Sequence, residues 1–178
     1  MDKQNPETNN LIKDVLQKTM VTNEDNIKHL NSLNENNEQI IKEITFRLIP
    51  FTKKNCSEEY KKISKNYQFV NDTNMGYQLI LKGEEDLNSV YALERCIDRH
   101  TGINKKIFQN ESEMNNIIKK NKMCNRECIE NYKIDNSEKG MSICFNNCFE
   151  DYYKNHLYLL QNYFIDLSEV KSKLDKFI

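Results

Sequence analysis

The sequence predicts an all-α protein, on three observations. Gly (4) and Pro (2) are scarce among the 178 residues, so the punctuation of a turn-rich β fold is missing. Leu, Ile, Glu, Lys and Asn dominate, a composition that favours long helices. Apolar residues also recur mostly at steps of three and four along most of the chain, the period of a helix with one buried side. Only 38% of residues are apolar, 30% are charged and Trp is absent, which argues against a large core. Crosslinks or partners are expected to compensate.

In chain order, Leu11, Ile12, Val15 and Leu16 give a first helix one apolar side. A start signal at Thr22, with Glu24 and Asp25 in the first turn, opens a second helix that carries Ile27, Leu30, Leu33, Ile40, Ile41, Ile44 and Leu48. Pro50 is expected to end it. Within it, NSLNENNEQ is polar enough to read as disorder on its own. From Phe51 a third helical pattern runs through Cys56, Tyr60, Ile63, Tyr67 and Val70, until NDTNMGYQLILKG breaks it with Asn, Asp and Gly. A fourth carries Leu87, Val90, Ala92, Leu93, Cys96, Ile97, His100 and Ile103, with Gly102 a weak spot near its end. Asn110 or Ser112 is a candidate cap for a fifth, through Met114, Ile117, Ile118, Cys124, Cys128 and Tyr132. DNSEKG turns the chain into a last helix free of Pro and, past Gly140, of Gly, with Met141, Cys144, Phe145, Cys148, Tyr152, Leu159, Leu160, Tyr163, Phe164, Leu167, Val170 and Leu174 on one side. A helix that long, with so little chain beside it, is expected to lean on another subunit.

The 26 basic and 27 acidic residues are interspersed and leave a net charge of -1. Without a basic block or an RNA-binding aromatic signature, nucleic acid is not an expected partner. No run approaches the roughly 18 apolar residues of a membrane span. The start MDKQNPETNN has neither a secretory signal nor the Arg-rich character of a matrix presequence. His29, His100 and His156 are spread over three helices with no nucleophile around them, and no Gly-rich phosphate loop exists. The expectation is a protein that is not an enzyme and carries neither cofactor nor metal.

Four of the six cysteines form two C-x-x-x-C pairs, Cys124 with Cys128 and Cys144 with Cys148, with fifteen residues between the pairs. Thiols four apart lie one above the other on a helix face. Folding the connection into an antiparallel hairpin would bring Cys128 to Cys144 near the turn and Cys124 to Cys148 one helical turn further out. The inner crosslink alone would contribute about 3 kcal/mol in the loop-entropy account. Structural disulfides are the favoured reading, and three alternatives stay open. A four-cysteine zinc site usually uses C-x-x-C knuckles in loops, redox catalysis a C-x-x-C at a helix N-terminus, and buried thiols can simply pack. Disulfides require an oxidising compartment, yet no secretory signal is present.

MCNREC followed by EKGMSICFNNCFEDYYKNH resembles the small Tim family of the mitochondrial intermembrane space. The likeness rests on the two C-x-x-x-C pairs, on Lys139 and Gly140 before Cys144, and on Tyr152 and His156 at steps of four after Cys148. It covers residues 110–178, about 40% of the chain. It implies oxidative folding without a cleaved presequence, the pairs Cys124 to Cys148 and Cys128 to Cys144, and a place peripheral to the inner membrane. It also implies a hexameric ring of hairpins, shared with other small-Tim-like subunits, whose helices shield hydrophobic segments of membrane-protein precursors. The client or partner contacts would then be Met114, Ile117 and Ile118 on one side and Leu160, Phe164 and Leu167 on the other, against the plainer reading that these side chains pack helix on helix.

The N-terminal part departs from that family. Cys56 with Tyr60, and Ala92 with Cys96, look like C-x-x-x-C pairs reduced to the outer cysteine. A second, degenerate hairpin over 51–109 is therefore expected, with a Cys56 to Cys96 bridge and Tyr60 filling space beside Ala92, chance spacing being the competing explanation. The domain reading is a helical extension over 1–50, this second hairpin over 51–109, and the twin C-x-x-x-C hairpin over 110–178. Two functions follow: a ring chaperone in protein import, or the same module fixed as a non-catalytic subunit of a large inner-membrane assembly such as a respiratory complex.

Overall fold

The structure, a computed structural model, describes residues 6–72 and 76–177. Along the described residues run helices α1 (Pro6–Thr22), α2 (Glu24–Asn55) and α3 (Ser57–Ile63), strands β1 (Tyr67–Asp72) and β2 (Gly76–Leu81), then helices α4 (Leu87–Thr101), α5 (Ile103–Asp135) and α6 (Glu138–Phe177). Among the described residues the protein is all-α but for one antiparallel β-hairpin. Among the described residues no helix is long and apolar enough to cross a membrane.

Asn23 separates α1 from α2: its amide bonds back to the carbonyls of Thr19 and Met20, and its own carbonyl accepts the Ile27 amide. Glu24 and Asp25 occupy the first turn of α2, where acidic groups complement the helix dipole. Contrary to the sequence expectation, α2 passes through Pro50 and ends only at Asn55. An interior proline costs about 3 kcal/mol. Here Leu48 and Phe51, at 5% and 0% exposure, flank it, and each buried apolar side chain contributes about 1.5–3 kcal/mol, so continuing the helix is the lower-energy course. The polar residues 31–39 are helical as well. They lie between turns anchored by buried Leu30 and Ile44, and extending a formed helix needs no new nucleus.

The third helix of the sequence reading stops at Ile63, and Tyr67 and Val70 belong to β1 instead. β1 pairs with β2 in a register of Tyr67 with Leu81 and Phe69 with Leu79. Side chains alternate along the strand: Tyr67 is buried, Gln68 exposed, and Phe69 packs on the core. Residues 73–75 of the segment read as a turn lie outside the described residues. The Tyr67 hydroxyl accepts the Asp86 amide at 3.1 Å, and the Asp86 carboxylate caps α4 by accepting from the Ser89 amide and hydroxyl at 3.0 and 2.5 Å. α4 ends at Gly102, whose φ of +69° is the left-handed cap glycine favours. Ile103 therefore opens α5 rather than closing α4, and α5 runs straight through Asn110 and Ser112. The Asp98 carboxylate caps the new helix, accepting from the Asn104 and Lys105 amides.

The chain forms two compact units whose boundaries fall within α2, α5 and α6: residues 1–33 with 111–160, and residues 34–110 with 161–178. Each draws on segments distant in sequence, and 34–50 and 161–178 join 51–110 in the second. In the first unit, Ile12 and Val15 of α1 pack with Cys128 of α5 and with Met141, Phe145 and Cys148 of α6. In the second, α2, α4 and α6 contribute Ile44, Phe51, Leu93, Ile97, Leu167, Val170 and Leu174 to one core. Much of the apolar side of α6 is thus covered by the chain itself; Leu167, Val170 and Leu174 are each at 0% exposure. In the second unit the apolar positions of α2 pack on these residues, a surface that the sequence reading sought in another subunit, while Phe164 of the same helix stays 43% exposed. Charged pairs rim this core, with Arg47 on Asp175 at 2.6 Å, Lys171 on Glu43 at 2.5 Å, and Lys106 on Asp166.

Candidate functional site

The site is the crosslinked stretch of α5 and α6. Ser137 starts α6: its hydroxyl accepts the Gly140 amide at 3.0 Å, and its own amide bonds the Asp135 carboxylate at 2.9 Å. Asn136 reverses the chain with φ +57°, a conformation Asn tolerates better than most residues. A Cβ at Gly140 would stand 2.9 Å from the Ser137 hydroxyl oxygen, so the glycine of the Lys139–Gly140 pair is required by the cap itself. This turn fixes the register of the two helices.

That register joins Cys128 to Cys144, with Cα atoms 5.7 Å apart, and Cys124 to Cys148 at 5.8 Å, both within the ordinary span of a disulfide. All four cysteines lie inside helices. Cys128 and Cys148 are sealed at 1% and 2% exposure, while Cys124 and Cys144 are half-buried. Three of the sulfurs, on Cys124, Cys128 and Cys148, gather within 4.8 Å. Each is spent in a disulfide, and a metal would require thiolates. Below the outer disulfide, a cavity of about 570 Å³ is lined by Cys124, Cys148, Lys120, Asp151 and Tyr152.

Tyr152 and His156 continue the stripe begun at Cys148, their rings meeting edge to face at 5.2 Å. Burial raises the Tyr152 phenol and lowers the His156 imidazole from their ordinary values, so the histidine is neutral near pH 7. It shares a second cavity, of about 360 Å³, with Leu16, Met20, Leu30, Phe145 and Phe149. The other histidines sit apart: His29 on the Tyr153 hydroxyl at 2.9 Å, His100 against the rings of Phe51 and Phe177.

The proposed client contacts divide. Met114, Ile117 and Ile118 are half-buried, Phe164 is 43% exposed, but Leu160 and Leu167 are buried at 4% and 0%. Leu167 belongs to the core of the second unit, so it has no surface left for a client in this fold. The third disulfide joins Cys56 to Cys96 with Cα atoms 6.0 Å apart. Its setting differs from the other two, because Cys56 precedes α3 as its cap residue. Tyr60 stacks on Phe69 at 4.8 Å, so the ring assigned to a slot beside Ala92 is engaged with β1. Sequence reasoning missed the part α1 plays at the twin disulfides. The stripe of Leu11, Ile12, Val15 and Leu16 was visible, but nothing in it names a partner surface.

Fold and site together define a disulfide-stapled helical protein with a twin C-x-x-x-C hairpin. No family model, no curated protein and no solved structure matches the chain.

Proposed function

We propose that the chain is a small-Tim-like protein of the mitochondrial intermembrane space, contributing its α5–α6 hairpin to a ring that shields hydrophobic segments of inner-membrane proteins. The supporting observation is the pairing of Cys124 with Cys148 and Cys128 with Cys144 across two antiparallel helices, together with the Lys139–Gly140 and Tyr152, His156 positions of the resemblance. Such a protein binds and does not catalyse. It is peripheral to the inner membrane and needs neither cofactor nor nucleic acid. Binding would fall to the half-buried Met114, Ile117 and Ile118, to Phe164, and to exposed apolar side chains such as Tyr158, at 70%.

A second reading, a fixed structural subunit of a large inner-membrane assembly, is favoured by the burial of Leu160 and Leu167. A mobile chaperone keeps such positions free, whereas a built-in subunit has no need of them. Blue-native electrophoresis of mitochondria from the source cells separates the two. A small particle of ring size supports the chaperone, and comigration with a respiratory complex supports the structural role. A protein absent from the intermembrane-space fraction contradicts both.

A further inference from the structure

The two disulfides of the hairpin touch each other. Cys128 Sγ lies 3.5 Å from Cys148 Sγ although the two belong to different disulfides. The four sulfurs therefore form a row in the order Cys124, Cys148, Cys128, Cys144. Its two middle members are sealed and its two ends are half-buried. The Cys124 end opens on the cavity of about 570 Å³. Cys148 also borders that cavity, but it is 2% exposed whereas Cys124 is half-buried, so an external thiol meets the end of the row first, and access decides which sulfur of a disulfide is attacked.

We propose that this row is a thiol–disulfide exchange relay for small-molecule thiols, in which a thiol captured at one end releases a thiol at the other. A thiolate RS⁻ attacks Cys124 Sγ; the RS–Cys124 bond forms, the Cys124–Cys148 bond breaks, and the electron pair leaves on Cys148 Sγ. That new thiolate faces Cys128 Sγ 3.5 Å away. It attacks there; the Cys148–Cys128 bond forms, the Cys128–Cys144 bond breaks, and the pair leaves on Cys144 Sγ, which takes a proton from water. Two disulfides exist before and after, one thiol is consumed and one appears, and nothing is oxidised or reduced overall. Entry at Cys144 runs the same steps backward and frees Cys124. The third disulfide, between Cys56 and Cys96, has no second sulfur pair beside it in its unit and takes no part. The relay depends on neither a ring nor a client, so it stands or falls apart from the proposed function.

The test uses the full oxidised chain with glutathione, quenched by rapid alkylation and mapped by non-reducing peptide mass spectrometry. The relay expects a glutathione adduct on Cys124 together with alkylated Cys144 and a Cys128–Cys148 crosslink. An adduct on Cys124 with alkylated Cys148, or no adduct at either end, overturns it. The Cys144→Ser chain gives a second readout without added thiol, since Cys128 is then free beside an intact Cys124–Cys148 bond. At mildly alkaline pH, label should appear at Cys124 in the amount lost from Cys128. Label confined to Cys128, with the helical circular dichroism retained, overturns the relay.

Discussion

The two compact units reach stability by different means. Among the described residues, the buried cluster of the first has six members, two of them cysteines, Cys128 and Cys148. That of the second has fourteen, again with two cysteines, Cys56 and Cys96. Where carbon is scarce the crosslinks are double and lie in mid-helix. Where it is plentiful a single crosslink stands at a helix entrance and ion pairs rim the surface. Sulfur in the first unit is thus core material as well as crosslink, which follows from a chain only 38% apolar.

The largest test removes the crosslinks unit by unit. Loop entropy alone ranks the Cys56–Cys96 bridge, at a sequence separation of 40, above the inner Cys128–Cys144 bridge at 16, by about 0.8 kcal/mol. The share of the core that is cysteine ranks the units the other way, two of six buried members in the first against two of fourteen in the second, and we expect it to govern. Serine at Cys124, Cys128, Cys144 and Cys148 should cost about 3–5 kcal/mol and abolish hydrogen-exchange protection across 124–148. Cys56→Ser with Cys96→Ser should leave the amides around Ile44 to Phe51 protected. Next come the cores themselves. Phe145→Ala should cost about 3–5 kcal/mol and Leu167→Ala about 2–5, by chemical denaturation. Loss of exchange protection should stay in the first unit for Phe145, which has five buried neighbours in its cluster, and be shallower in the second.

Smaller effects refine the same contrast at the helix joints. Gly140→Ala forces a Cβ against the Ser137 hydroxyl and should cost about 1 kcal/mol as the cap is lost. Gly102→Ala meets no neighbour and should cost about 1 kcal/mol through its positive φ alone. A double-mutant comparison with Ser137→Ala separates the two causes, because only the Gly140 effect should shrink. The smallest effect is in pH. The imidazole of His156 is lowered by burial, so the unfolded chain binds its proton first as pH falls. The histidine's contribution is therefore complete above the ordinary value of about 6.5 and declines below it. Thermal melts of the wild type and His156→Phe should diverge less at pH 5.5 than at pH 7.5 if burial of the neutral ring is what matters.

Most helices were legible because their apolar stripes are long: the run from Met141 to Leu174 reads as one helix and is one. The cysteine register was legible because four-residue spacing on helices leaves few ways to pair. The β-hairpin was not. Tyr67 and Val70 happen to continue the three- and four-residue steps from Ile63, and that accident hid the aromatic and branched content of YQFV and YQLIL, which favours strands. Pro50 and the Asn-rich part of α2 misled for a related reason. Local preference argues for a break in both places, and burial of Leu48, Phe51 and Ile44 decides against it. The fate of Leu167 could not be read either, since a stripe shows that a face is apolar but not what covers it.

The turn at Asn136 and Ser137 has a consequence for the order of events as the chain folds. With only two residues between α5 and α6, the helices can zip outward from the turn, each step closing a short loop, and short loops close in well under a microsecond. Cys128 and Cys144, the thiols nearest the turn, come within reach first. Their bond then holds Cys124 and Cys148 one helical turn away, so the second oxidation begins from partners already aligned. A one-residue insertion after Asn136 should slow this second oxidation more than the first, with a mispaired species accumulating on the way.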